Sequence, residues 1–179
     1  VTFPPVYFEI ADPPYLLVVS PREKIETLGT VMLETDLSRE EREKLEAEVD
    51  KLGVISLTVK LGGVATYPSF VSNRGDLRFA VETSVHEWAH QYLTFRPLGF
   101  RYMLSLEGIS KDSDIAALDE TVASMVGKEI GGIIYDRYYN TPGDTAPEDN
   151  GGNGFDFNAE MRDIRKTVDA LLAGGKVNE

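Results

Sequence analysis

The 179-residue chain contains no cysteine and only two histidines. Without cysteine there is no disulfide, no thiolate metal site and no thiol nucleophile, so imidazoles and carboxylates are the only strong metal ligands left. Clustered positive charge is missing too. Lys plus Arg number nine and Asp plus Glu fifteen in residues 1–90, and the same counts recur in residues 91–179, for a net charge of -12. A nucleic-acid or anionic-membrane surface needs grouped cations, so neither partner is expected. No apolar run approaches the ~20 residues that cross a bilayer, and no charged-then-apolar leader precedes the first elements. Repeats and low-complexity runs are also absent. The length suits one core, so a single domain over residues 1–179 is expected. The chain opens on Val1, so either a leader has been removed or this is a fragment, and it stops four residues beyond Gly174-Gly175 with no closing element, which reads as truncation of a longer protein.

Hydrophobic periodicity sets out the elements. Val6 to Ile10 and Tyr15 to Val19 read as strands joined by a turn at Asp12-Pro13-Pro14. Ile25, Leu28 and Met32 recur at helical spacing behind Pro21, which predicts a helix there. Ser38 with Glu41 forms a capping box, Leu45, Val49 and Leu52 an apolar stripe, and Gly53 a stop. Val54 to Leu61 alternates as a strand, and Val64 to Phe70 extends the sheet. From Leu77 to Phe95 the pattern is helical again, with Pro97 and Gly99 read as its end. A loop over residues 105–114 leads to a helix bearing Leu118, Val122, Met125 and Val126, interrupted at Gly131-Gly132 and followed by a short helix from Ile133 to Tyr139. Residues 140–154 read as an irregular loop and Phe157 to Leu171 as a last helix. The fold class is α+β.

The chemistry lies in His86-Glu87-Trp88-Ala89-His90, which holds both histidines of the chain. Four residues make just over one helical turn, so the two imidazoles leave the same face and can share one ion. Glu87 is rotated about 100° from His86, where it reaches a water at that ion without becoming a ligand. Two histidines placed at random would give this spacing, with Glu after the first, on the order of once in a thousand. The rival reading is a surface pair on an ordinary helix.

A catalytic zinc takes three protein ligands and one water, and no third histidine exists. Glu120 is the candidate, in Leu118-Asp119-Glu120-Thr121-Val122-Ala123-Ser124, thirty residues after His90. Ser124 and Gly127 follow it at helical spacing, leaving a small, polar side on which this helix can approach the first. Asp119 is expected to be a helix cap or an acceptor for a ligand imidazole. Glu107, Asp112 and Asp114 compete for the third position from a loop. Glu82 could support His86, but a solvated carboxylate is its plainer role. Trp88 and Tyr92 read as packing residues.

His-Glu-x-x-His followed by a Glu on a later helix resembles the gluzincin clan of zincin metallopeptidases. With Asp119 to Glu129, Leu61-Gly62-Gly63 and Tyr67-Pro68-Ser69, the chain also resembles a bacterial, membrane-associated zincin-like family over most of its length. The resemblance implies a zincin-like fold, with a small mixed sheet over a helical lobe and the active-site helix between them. It further implies a peptide or protein substrate, a zinc cofactor, and a full-length protein that is either extracytoplasmic or membrane-associated, while the sequence itself does not state the compartment. Some gluzincins carry Asp four residues after the ligand Glu, where this chain has Ser124.

In the expected mechanism Glu87 is the general base for a zinc-activated water, and Gly62 to Phe70 supplies a sheet edge for extended substrate. An oxyanion donor is still required, and Tyr138, Tyr139 and Arg137 are its candidates. Other classes stay open: a structural zinc site, a catalytically silent zincin-like binding module, or a helical scaffold without metal.

Overall fold

The computed structural model describes residues 2–106, 109, 112–140 and 156–178. It is an α+β chain that divides into two compact units, residues 1–13 with 61–142, and residues 14–60 with 143–179. The first unit holds strands β1 (Phe8–Ile10), β5 (Gly63–Val64) and β6 (Ser69–Val71) and helices α2 (Leu77–Thr94), α3 (Pro97–Leu106) and α4 (Ser113–Tyr138). The second holds β2 (Tyr15–Pro21), β3 (Gly29–Met32) and β4 (Val54–Lys60) with helices α1 (Arg39–Asp50) and α5 (Phe157–Ala173). No helix among the described residues is long and apolar enough to cross a membrane.

In the first unit β6 is the central strand, parallel to β1 and antiparallel to β5, with Phe8 opposite Ser69 and Gly63 opposite Val71. Ser69 and Val71 point into the core, where β6 lies on α2. Their alternation with half-buried Phe70 is the period-2 signature of a strand covered on one face. Gln91 of α2 ties helix to sheet, its side-chain amide donating to the Thr66 carbonyl and to Ser69 Oγ.

In the second unit β2 pairs antiparallel with β3 on one side and β4 on the other. Helix α1 starts at the expected capping box: Ser38 Oγ accepts from the Glu41 amide at 3.2 Å, and Glu41 Oε2 accepts from the Ser38 amide at 2.9 Å. Past its end, Gly53 takes the left-handed conformation (φ 83°) that a side chain would resist. Carboxylates of α1 then serve the outer strand: Asp50 Oδ1 accepts from the Ser56 amide at 2.7 Å and Glu46 Oε1 from the Thr58 amide at 2.6 Å. These bonds satisfy N–H groups that β4, an edge strand, would otherwise leave open to pairing.

Several elements differ from the sequence reading. The first two strands are not a hairpin: β1 pairs with β6 and β2 with β3 and β4. The helix expected around Ile25 to Met32 is the strand β3, because β2 offers Thr30 and Val31 a hydrogen-bonded partner that suits β-branched side chains. Pro97 opens α3 rather than only closing α2, the first helical turn being where a missing N–H costs nothing. Helix α4 runs unbroken through Gly131-Gly132. The loop expected over residues 140–154 lies outside the described residues except for Asn140.

Candidate metal centre

Helix α2 begins at Asp76, whose side chain accepts from the Phe79 amide at 2.7 Å, and continues past both histidines. One turn brings the rings of His86 and His90 to 4.7 Å between centroids and their Nε2 atoms to 3.1 Å. Glu87, between them in sequence, is 6 % exposed. It turns toward β5, where Gly63 has no side chain: a Cβ there would lie 2.8 Å from both Cγ and Cδ of Glu87.

The third group comes from α4, and small residues let it come close. Ala123 is fully buried, and a Cβ on Gly127 would sit 2.9 Å from the Glu82 carbonyl oxygen and from His86 Cβ. A Cβ on Gly131 would be 2.7 Å from Glu82 Cα. The two glycines that looked like a break are part of a seam along which α4 lies against α2. Its opposite side, with Leu118 and Met125, is largely exposed rather than packed.

That seam carries Glu120 to the histidines. Its Oε2 lies 3.6 Å from His86 Nε2 and its Oε1 3.5 Å from His90 Nε2. Two atoms held about 2.0–2.1 Å from one ion at a tetrahedral angle are separated by about 3.3 Å. The Nε2 atoms, 3.1 Å apart, and the approach of each to one Glu120 oxygen, 3.6 Å to Oε2 and 3.5 Å to Oε1, lie near that value, and one donor atom from each of the three residues can be chosen within 4.8 Å of the others, so His86, His90 and Glu120 could hold a metal ion.

The protonation chemistry supports the same donor set. Asp119, 1 % exposed, accepts from His90 Nδ1 at 2.7 Å through Oδ2, which favours a proton on Nδ1 and leaves Nε2 facing the centre. Asp119 is therefore the imidazole acceptor and not a cap; the cap of α4 is Asp112, which accepts from the Ile115 amide. The Oδ1 atom of Asp119 has no hydrogen-bond partner among the described residues. The backbone of Ala123 favours the charged form of His86, against the larger effects of burial and of His90.

Burial pushes the Glu87 carboxyl up to about 7, and the negative charge of Glu120 adds to the rise against the pull of His90. Burial also lowers His86, with His90 repelling its charged form. At His90 burial opposes the charge, yet hydrogen bonds and attraction from Glu120 and Asp119 prevail and raise it to about 9. Glu120 falls below the usual carboxylate range, chiefly through its hydrogen bond with His90. A proton would thus compete with any metal ion for His90 Nε2, and uptake of an ion there would release that proton.

Other residues singled out from the sequence lie elsewhere. Tyr138 and Tyr139 sit at the far end of α4, about 27 Å along its axis from Glu120 at 1.5 Å per residue. Both are exposed, and Arg137 stacks on Tyr138 there, so none of the three joins the cluster. Asp112 also pairs with Arg101, Asp114 is exposed in the first turn of α4, and Glu107 is outside the described residues. Glu82 pairs with Arg78 at 2.9 Å. Trp88 donates to the Pro4 carbonyl and stacks on Tyr92, as packing residues do.

Tyr102, on α3, is the residue that the sequence reading missed. Its ring lies 6.1 Å from that of His90 and its hydroxyl donates to Glu120 Oε1 at 3.3 Å. Burial and the surrounding carboxylates, Glu120 first, drive its pKa upward, so it stays a neutral donor. No sequence signal marked it, because the Pro97 and Gly99 that precede it read as the end of structure.

No family model, curated protein or solved structure matches the chain, so its function is read from this site.

Proposed function

We propose that this chain is a zinc-dependent peptidase of the gluzincin type, with a zincin-like arrangement of its first unit. One observation carries the reading: two histidines and a glutamate converge at ligand spacing, and the buried carboxyl beside them, Glu87, is not needed as a ligand. Nitrogen and carboxylate donors without thiolate suit zinc, and three protein ligands leave a fourth position open. When bound there, zinc supplies Lewis acidity that activates a water and polarises a carbonyl.

The protein groups supply the rest. Glu87 accepts the proton of the attacking water and hands it to the leaving amine. Its carboxyl, raised to about 7 by burial in the ion-free protein, is a readier proton acceptor than an exposed glutamate. Substrate binds as an extended segment along β5, the edge strand of its sheet, whose Gly63 lies directly against the Glu87 carboxyl.

The test is Glu87→Gln, with zinc content and peptide cleavage measured on the same preparations. The variant is expected to keep its zinc and lose about 100- to 10,000-fold in turnover. Zinc in both forms with turnover in neither would favour a catalytically silent binding module or a structural site. No zinc in the wild type would end the peptidase reading.

A further inference from the structure

Glu120 is the least constrained of the three convergent side chains. Its side chain is 52 % exposed, against 23 % for His86 and 11 % for His90, and it has three rotatable bonds with which to leave the centre. Among the described residues, the side chains that reach its carboxylate are His86, His90 and Tyr102. The histidines cannot hold Glu120 while they serve as ligands. A neutral imidazole that donates through Nδ1, as His90 does to Asp119, has only a lone pair on Nε2 and no proton to offer a carboxylate. Among the described residues, Tyr102 is then the one side-chain donor left.

We propose that Tyr102 is a positioning residue for the third ligand. Its hydroxyl keeps the Glu120 carboxylate in the rotamer that meets His86 and His90, and so sets the affinity and geometry of the metal site. Helix α3 makes this possible by packing against both α2 and α4, which brings the Tyr102 ring beside His90 and its oxygen to Glu120 Oε1. A carboxylate oxygen has more than one lone pair, so accepting from Tyr102 does not remove Glu120 from the ion. The inference rests on the metal-site reading above. Its distinct content is that a hydroxyl, and not merely an aromatic ring, is required at residue 102.

Tyr102→Phe keeps the ring and removes the hydroxyl. Zinc affinity is measured by competition with a chromophoric chelator, and site geometry by the visible absorption of the cobalt-substituted protein. The variant is expected to bind zinc about tenfold more weakly, the lower end of what loss of a supporting hydrogen bond costs, with an altered cobalt spectrum. The melting temperature of the zinc-free variant should stay near that of the wild type, since packing is retained. Equal affinity with an unchanged cobalt spectrum would overturn the proposal while leaving the metal site intact. A wild type that binds no zinc would overturn the site itself.

The effect must also run through Glu120. In a Glu120→Ala background, Tyr102→Phe should cause no further loss of affinity, and another tenfold loss would show that Tyr102 acts elsewhere. Should the phenylalanine variant not fold, the wild type labelled with fluorotyrosine still decides the matter. Of its eight tyrosines, one resonance is expected to shift on zinc addition, and no shift would overturn the proposal.

Discussion

Glu87 combines burial, a raised pKa and a position beside the ligands, and the combination makes a measurable demand on stability. An unfolded Glu ionises near 4.5, whereas burial holds the folded group protonated up to about 7. Between those values the native state binds the extra proton, so its contribution to stability is complete below 4.5 and is lost as pH rises through 7. The difference is roughly 3 kcal/mol at about 1.4 kcal/mol per pKa unit. We expect zinc-free Glu87→Gln to gain on the wild type by about that amount between pH 4.5 and pH 8, measured by denaturant unfolding at each pH. A constant difference across the range would mean that Glu87 is not buried as the carboxyl. At this scale the sequence was most legible. A one-turn spacing in an amphipathic helix fixes which way His86, Glu87 and His90 point, and local geometry needs no tertiary knowledge. Tyr102 was not legible, because its contact with Glu120 depends on how α3 packs, and the tyrosines favoured instead, Tyr138 and Tyr139, lay on the right helix but several turns too far along it.

Among the elements, the seam between α2 and α4 decides whether a centre forms at all. Gly127→Ala places a methyl 2.9 Å from His86 Cβ and from the backbone of Glu82, neither of which can yield without moving a ligand helix. Overpacking of this kind costs about 1–3 kcal/mol, and we expect a lower melting temperature together with weaker zinc binding. A variant that loses neither would place α4 farther from α2 than described. Gly63→Ala probes the other side of the site. Its methyl would push the Glu87 carboxyl while leaving the three ligands untouched, so zinc content should persist and turnover fall about 100-fold, the scale of a 1 Å misplacement. Helices with capping signals were readable, as Ser38 to Gly53 shows. Elements whose identity is set by a partner were not: β3 exists because β2 lies beside it, and the Gly131-Gly132 pair reads locally as a break although its role is contact. Propensity is a weak prior wherever tertiary pairing supplies the hydrogen bonds.

For the chain as a whole, the two histidines and the single tryptophan occupy five consecutive residues, which gives the site an internal reporter. With a net charge of -12, many carboxylates could attract zinc loosely, but no imidazole exists outside the cluster to make a second strong site. An ion that binds the native state alone stabilises it in proportion to its occupancy. At a free zinc concentration 100 times its dissociation constant the gain is about 2.7 kcal/mol. Trp88 fluorescence during denaturant unfolding should therefore report a higher midpoint with zinc, reversed by a chelator. His86→Ala and His90→Ala should each abolish the difference and Glu120→Ala should shrink it to a weak residual shift, while Glu87→Gln, which removes no ligand, should retain it. Loose binding to surface carboxylates makes the opposite forecast, since those groups persist in all four variants and in the unfolded chain and would give no site-dependent shift. A midpoint that ignores zinc in the wild type, or that responds to it equally in His86→Ala, would deny that the three side chains act together on one ion.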